Sequence, residues 1–260
     1  MGNILIPESF PNLPTALQKL QKLFAYGNID NKQLALLLQD DPLLCANILK
    51  IVNSPHYGLA KKVSSINHAV MLLGATIIRG IVMAAILKKS FALNLSPYKI
   101  SIEQFDVICA LRVKFLNTWV HDETLDIQNL SSAAFLMEAG KIVTSNFILQ
   151  RKEHEKFLKL LEDSSIEEAE RTLFNMDSYQ VAAMLFKKWE FEDNFTDLIK
   201  AISAPQTKEQ KLLHVISILI GIKGILTDET IEEALSFASM YDYDITKLQS
   251  AIITVTKELV

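Results

Sequence analysis

From Gln39 to Gly74 the chain reads as two helices divided by a rigid loop. Pro42 suits the first turn of a helix, where a missing N–H costs nothing, and Asp41 before it can accept the free amide protons. Leu44, Ile48 and Ile51 then fall on one face. Asn53-Ser54-Pro55 ends that helix, because Pro55 disfavours helical geometry at Ser54, and Gly58 frees the exit of the loop. A second apolar stretch, Ile66 through Leu73-Gly74, resumes the helical pattern. A chain that must accommodate this block commits its first third to helix packing.

The rest of the sequence points the same way. Thr15 to Gln18, Ser101 to Gln104, Ser165 to Glu168 and Thr207 to Gln210 each match the capping box that opens a helix. Ile231, Ala234, Leu235 and Ala238, then Ile245, Leu248, Ile252, Val255 and Leu259, keep helical spacing to the end. The β-branched run Ile142-Val143-Thr144 continues a helical pattern from Leu130, and no alternating strand pair with a hairpin turn occurs. Eight glycines and seven prolines in 260 residues leave room for long regular segments. The expected fold class is therefore all-α, a multi-helical bundle. It is read as a single domain, 1–260, with an internal joint at Asn94-Leu95-Ser96-Pro97 that divides it into 1–96 and 97–260.

Half the residues are hydrophobic and the formal net charge is −4, which argues against a bulk nucleic-acid binder. Cys45 and Cys109 sit among apolar neighbours and read as buried thiols, with neither the number nor the spacing for a disulfide or zinc site. The run Ala69–Leu87 carries Gly74, Thr76 and a central Arg79, and Val215–Ile222 is too short to span a bilayer, so both read as core helices. The first residues carry no basic segment ahead of an apolar one. A cytoplasmic protein with no membrane partner is expected.

The block from Gln39 to Gly74 resembles the HDOD family, the HD-related output domains of bacterial signalling proteins. The matching positions are Asp41-Pro42, Asn53-Ser54, Tyr57-Gly58, Ile66, Ala69 and Leu73-Gly74, with Leu13-Pro14 as the entry. The resemblance implies an N-terminal helical subdomain packed on a bundle related to the HD hydrolases, in which His and Asp ligands hold a divalent metal. In this chain those ligand positions are replaced. Within Ala134–Val143, Met137 stands in the position of the signature His and Glu138 in that of the Asp, followed by the retained Gly140-Lys141. Ile108, Ser178 and Ser203 stand where further ligands would be expected. Aliphatic and thioether groups do not hold a hard cation. No metal, no cofactor and no hydrolase activity are expected. His121-Asp122 repeats the dipeptide at a polar helix end, without the apolar setting or the Gly-Lys, and reads as an exposed C-terminus.

What the resemblance implies instead is a non-catalytic scaffold or adaptor in two-component or cyclic-dinucleotide circuits. Its partners in trans would be a histidine kinase, a response regulator or a cyclic-dinucleotide enzyme. The loop after Asn53 offers His56, Tyr57, Lys61 and Lys62, a mixed aromatic and basic set suited to an interface. Asp41, Pro42, Asn53, Ser54, Gly58 and Gly74 read as structural members of the motif. An alternative is a nucleotide or small-ligand sensor using the vestigial cleft around Met137, Glu138 and Lys141. A residual metal-dependent phosphohydrolase ranks below it. A helix-turn-helix reading of Asn31–Val52 is opposed by Asp40 and Asp41, which would meet phosphates.

Overall fold

The computed structural model of the chain describes residues 10, 31–39, 42–53, 62–90 and 93–259. Thirteen α-helices account for most of them, and the sole strand-like pairing among the described residues is an isolated antiparallel bridge between Ile220 and Ile225. The N-terminal part comprises α1 (Asn31–Gln39), α2 (Pro42–Val52) and α3 (Ile66–Ser90). A short 3-10 turn, Ser96–Tyr98, leads into α4 (Ile102–Trp119), α5 (Ile127–Leu136), α6 (Ala139–Gln150), α7 (His154–Asp163) and α8 (Ile166–Phe174). The chain closes with α9 (Ser178–Lys188), α10 (Asp193–Lys200), α11 (Lys208–Leu219), α12 (Asp228–Met240) and α13 (Ile245–Lys257).

Local chemistry sets most of these boundaries. The capping boxes at Ser101, Ser165 and Thr207 form as the sequence predicts, each hydroxyl accepting from the amide three residues on while the Gln or Glu there reaches back. Two more, Asp177 with Gln180 and Thr227 with Thr230, open α9 and α12. The predicted box at Thr15 lies outside the described residues. Pro42 begins α2, and the helix ends at Val52, just ahead of the proline-bearing segment. The Asn53 side chain closes the base of the following loop: its amide donates to the Leu49 carbonyl at 2.7 Å and the Val63 carbonyl at 2.8 Å, and its oxygen accepts from the Val63 amide at 2.7 Å. Gly74 breaks α3 with φ 77 and ψ 161, a left-handed-side geometry that favours glycine, so the motif position is a kink between two helical segments. Ile142, Val143 and Thr144 are helical, within α6.

α3 joins the two parts of the chain. It packs on α1 and α2 on one side and on α5 and α6 on the other, while α4 packs on α5 and α13, α6 on α9, and α11 on α12. One continuous apolar core runs from Phe10 through Ile48, Ile78, Phe115, Met137, Phe186 and Ile216 to Val255. Cys109 is buried there, but Cys45 is only half-buried, its thiol donating to the Leu38 carbonyl. The periodic run at the C-terminus also overshoots: α13 stops at Lys257, and Leu259 is exposed. No helix among the described residues is long and apolar enough to cross a membrane.

Candidate functional site

The helices α6 and α9 meet more closely than side chains ordinarily permit. A Cβ placed on Gly140 would lie 1.7 Å from the Ser178 carbonyl oxygen, so only glycine fits. That close approach seats the next residue, Lys141, inside the bundle, where it is 2% exposed rather than solvated. Its ammonium lies 2.7 Å from Glu138 Oε2 and donates to Ser178 Oγ at 3.1 Å. Glu138, also 2% exposed, sits at the start of α6, and its other oxygen accepts from Arg112 Nη2 at 2.6 Å. Arg112 is fully buried on α4, and its Nε donates to the Ile220 carbonyl at 2.6 Å. Burial by itself would raise the Glu138 carboxyl, but Lys141 and Arg112 outweigh it and hold the group down at about 2. Burial likewise works against the charge on Lys141, and the adjacent Glu138 carboxylate overcomes it, raising the ammonium above its ordinary value.

A second polar cluster adjoins the first through Ser178. The Ser178 amide donates to Glu170 Oε2 at 2.6 Å, and the Tyr98 hydroxyl donates to Glu170 Oε1 at 2.6 Å. Thr144 Oγ1 lies within hydrogen-bond distance of both the Tyr98 hydroxyl and the Gly140 carbonyl, 3.1 Å from the latter, and while Tyr98 donates to Glu170 the single Thr144 proton goes to one or the other. Burial pushes Glu170 up to about 7; Lys141 pulls it back only in part. Nearer the surface, Asp177 accepts from Arg171 at 2.6 Å and from the Ser203 hydroxyl at 2.8 Å.

Beside these clusters lies a cavity of about 200 Å³ between α6, α8, α9, α11 and α12. Glu138, Lys141 and Tyr179 form its inner end, with Arg171, Ser203 and His214 on the walls. His214 shares a hydrogen bond at 2.9 Å with the Tyr241 hydroxyl, and burial pushes its imidazole down to about 4, so it is neutral at pH 7.

The positions where the resemblance leads one to expect ligands are distributed unequally. Glu138 and Ser203 line the cavity, as does the retained Lys141, and Ser178 is buried against Lys141. Ile108 and Met137 point into the hydrophobic core, so Met137 does not belong to the cleft's lining. The donor set does not fit a divalent metal: the Glu138 carboxylate is engaged by two cations, and among the described residues no three His, Cys, Asp or Glu side chains come together. His121 is exposed at the end of α4, and Asp122 beside it pairs with Lys208 at 2.6 Å. Of the loop candidates, Lys62 is exposed; His56, Tyr57 and Lys61 lie outside the described residues, as do Asp41, Ser54 and Gly58. Sequence reasoning missed Arg112 and Glu170. The signal for Arg112 was a lone arginine in the apolar stretch Cys109–Leu116, one helical turn after Ile108.

The architecture has known counterparts. The chain is similar to a virulence factor from Campylobacter jejuni subsp. jejuni, with 27% identity and a TM-score of 0.55 over 96% of this chain and 93% of that one. It resembles in fold a protein from Shewanella amazonensis SB2B provisionally named a phosphohydrolase, with 15% identity and a TM-score of 0.71 over 98% and 96% of the two chains. A protein from Marinobacter aquaeolei VT8, provisionally named for signal transduction, shares the fold at 18% identity and a TM-score of 0.66 over 96% of this chain and 59% of that one. No curated protein matches the chain. The family profile of the HDOD domain matches residues 10–205, most of the chain, and the protein therefore belongs to the HDOD family.

Proposed function

We propose that this chain is a non-catalytic signalling module that acts by binding other proteins. Family membership supports a signalling role, as does the fold shared with the Marinobacter protein. The observation that carries the non-catalytic part is the Arg112–Glu138–Lys141 cluster. Glu138, at the Asp position of the signature pair, spends its charge on two side-chain cations. A metal would have to displace both, and the neighbouring positions supply hydroxyl and aliphatic groups in place of imidazoles. In this reading the two cations balance the buried carboxylate that a metal would otherwise balance.

The partners are signalling proteins in trans: a histidine kinase, a response regulator or a cyclic-dinucleotide enzyme. The loop after Asn53 is the proposed contact, with Lys62 at its exposed end and His56, Tyr57 and Lys61 within it. Two measurements test this reading. Purified protein incubated with Mn²⁺ should retain no stoichiometric metal and should not turn over cyclic dinucleotides; bound metal together with turnover would overturn it. Replacing His56, Tyr57 and Lys62 together by alanine should weaken capture of the partner without altering the melting temperature, and unchanged capture would remove the loop from the interface. A second reading, a small-ligand sensor, is favoured by the cavity itself, which remains open beside Lys141.

A further inference from the structure

The inner end of the cavity holds more buried positive charge than its immediate partners neutralise. Arg112 and Lys141 face the single carboxylate of Glu138. Glu170, the next acid, does not line the cavity; it is reached through Ser178 and has its own hydroxyl and amide donors. Arg112 does not line the cavity: it lies behind the lining residue Gly221, whose Cβ, if present, would be 3.8 Å from Nη2, and its Nη1 is enclosed by protein with no hydrogen-bond partner. The Lys141 ammonium uses Glu138 and Ser178, and beyond them it meets the face of the Tyr179 ring, 4.9 Å from its centroid. Two buried cations facing one carboxylate leave a net positive charge beside the cavity, which favours an incoming anion.

The rest of the lining narrows what that anion is attached to. Lys223 stands exposed at the mouth, but Glu167 and Glu233 stand there too and oppose a multiply charged ligand. Between mouth and floor the lining mixes hydroxyls (Ser203, Ser217, Thr230), neutral His214, three isoleucines and one charged group, Arg171, which is paired with Asp177. The cavity of about 200 Å³ is smaller than the roughly 300–1,000 Å³ of pockets for drug-sized ligands. A cyclic dinucleotide is therefore too large to be enclosed.

We propose that this cavity is a binding site for a small hydroxylated molecule carrying one phosphate or carboxylate group, with the anionic group seated toward Lys141. The site is independent of whether the chain also engages a protein partner through the loop after Asn53. Ligand exchange would pass the mouth between Lys223 and Glu233, and occupancy would tie α6 to α11 and α12, whose residues share the lining.

The test is thermal unfolding of the full chain with ribose 5-phosphate, gluconate, uncharged ribose and a cyclic dinucleotide, each at millimolar concentration. A ligand that binds only the folded state raises the melting temperature in proportion to its saturation. Ribose 5-phosphate or gluconate, whichever anion the site prefers, should raise it, and ribose and the dinucleotide should not. Ser217→Leu, which fills the cavity, should abolish the shift, and Lys223→Ala should reduce it. Lys141→Met should weaken binding by about tenfold or more, the size of one charge-assisted hydrogen bond. If Lys141→Met fails to fold, the other two variants still decide. No shift with either anion, an equal shift with ribose, or an undiminished shift in Ser217→Leu would overturn the proposal. Release of phosphate from ribose 5-phosphate would overturn the non-catalytic reading while leaving the binding site in place.

Discussion

Glu138 and Glu170 are both sealed inside the same bundle, yet Glu138 is held at about 2 while Glu170 stands at about 7. Burial is the largest single influence on each and opposes the charged form. What differs is the neighbour. Glu138 has two cations within 2.7 Å. Glu170 has a phenol and a backbone amide at 2.6 Å, and feels Lys141 only from farther away. Hydrogen bonds from neutral donors do not offset the loss of water around a carboxylate as a contact cation does. The same bundle therefore contains one carboxylate fixed in its charged form and another that titrates near neutrality.

The largest expected effect comes from removing the shared anion of the first cluster. Glu138→Ala leaves Arg112 and Lys141 buried and repelling each other, and should cost about 3–5 kcal/mol, the range for breaking a buried ion pair from one side. Replacing all three together, Arg112→Leu with Glu138→Leu and Lys141→Met, removes the charges and their desolvation at once. That variant should fall near wild type in urea denaturation, because apolar replacement of a whole buried ion cluster is often neutral or stabilising. If the triple variant is as unstable as Glu138→Ala, charge balance is not what ties the two cations to Glu138, and the contrast with Glu170 loses its basis.

The second prediction concerns pH. Glu170 has a folded value of about 7, above the unfolded value of about 4.3, so the folded chain keeps a proton that the unfolded chain gives up. The resulting stabilisation is complete below pH of about 4.3 and is lost as the pH rises through 7, a change of about 4 kcal/mol if Glu170 acts alone. Glu138 acts in the opposite sense: its stabilisation is present above about pH 4.3 and is lost as the pH falls toward 2. Denaturant midpoints measured at pH 5 and pH 8 should therefore show the wild type losing stability toward pH 8. Glu170→Gln, neutral throughout, should lose clearly less. Parallel pH dependence in the two proteins would show that Glu170 is ionised or neutral over the whole range.

The comparison also shows what a sequence exposes and what it hides. Capping at Ser101, Ser165 and Thr207 was legible because each box joins residues three apart, and so was the stop after Val52, where a proline acts on its own neighbour. Glu138 and Lys141 were legible as members of one short motif. Their partner Arg112 was not, because it lies 26 residues before Glu138 and only the packing of α4 on α5 brings it there. Glu170 was hidden more thoroughly. It follows Glu167 and Glu168 on a helix whose first turn faces solvent, and a run of acids reads as a solvated face. Its burial depends on Tyr98, 72 residues away in a 3-10 turn, and no local pattern reports a contact of that range.

Tyr98→Phe gives the smallest and most discriminating effect. The ring keeps its edge-to-face contact with Phe157, so packing is preserved and only the hydroxyl is lost. At pH 8, with Glu170 largely ionised, the variant removes a charge-assisted hydrogen bond worth roughly 1.5–3 kcal/mol. At pH 5 the carboxyl is protonated and can donate to the phenol oxygen, so the Tyr98–Glu170 bond is then a neutral one worth about 1 kcal/mol, while the contact with Thr144 is lost at either pH. The cost of Tyr98→Phe should thus be greater at pH 8 than at pH 5 by about 1 kcal/mol, and this difference should vanish in a Glu170→Gln background. A difference that persists there would assign the pH dependence to another group. A cost equal at both pH values in the wild-type background would mean that Tyr98 bonds the two forms of Glu170 equally well, which a group acting mainly as donor to a carboxylate does not do.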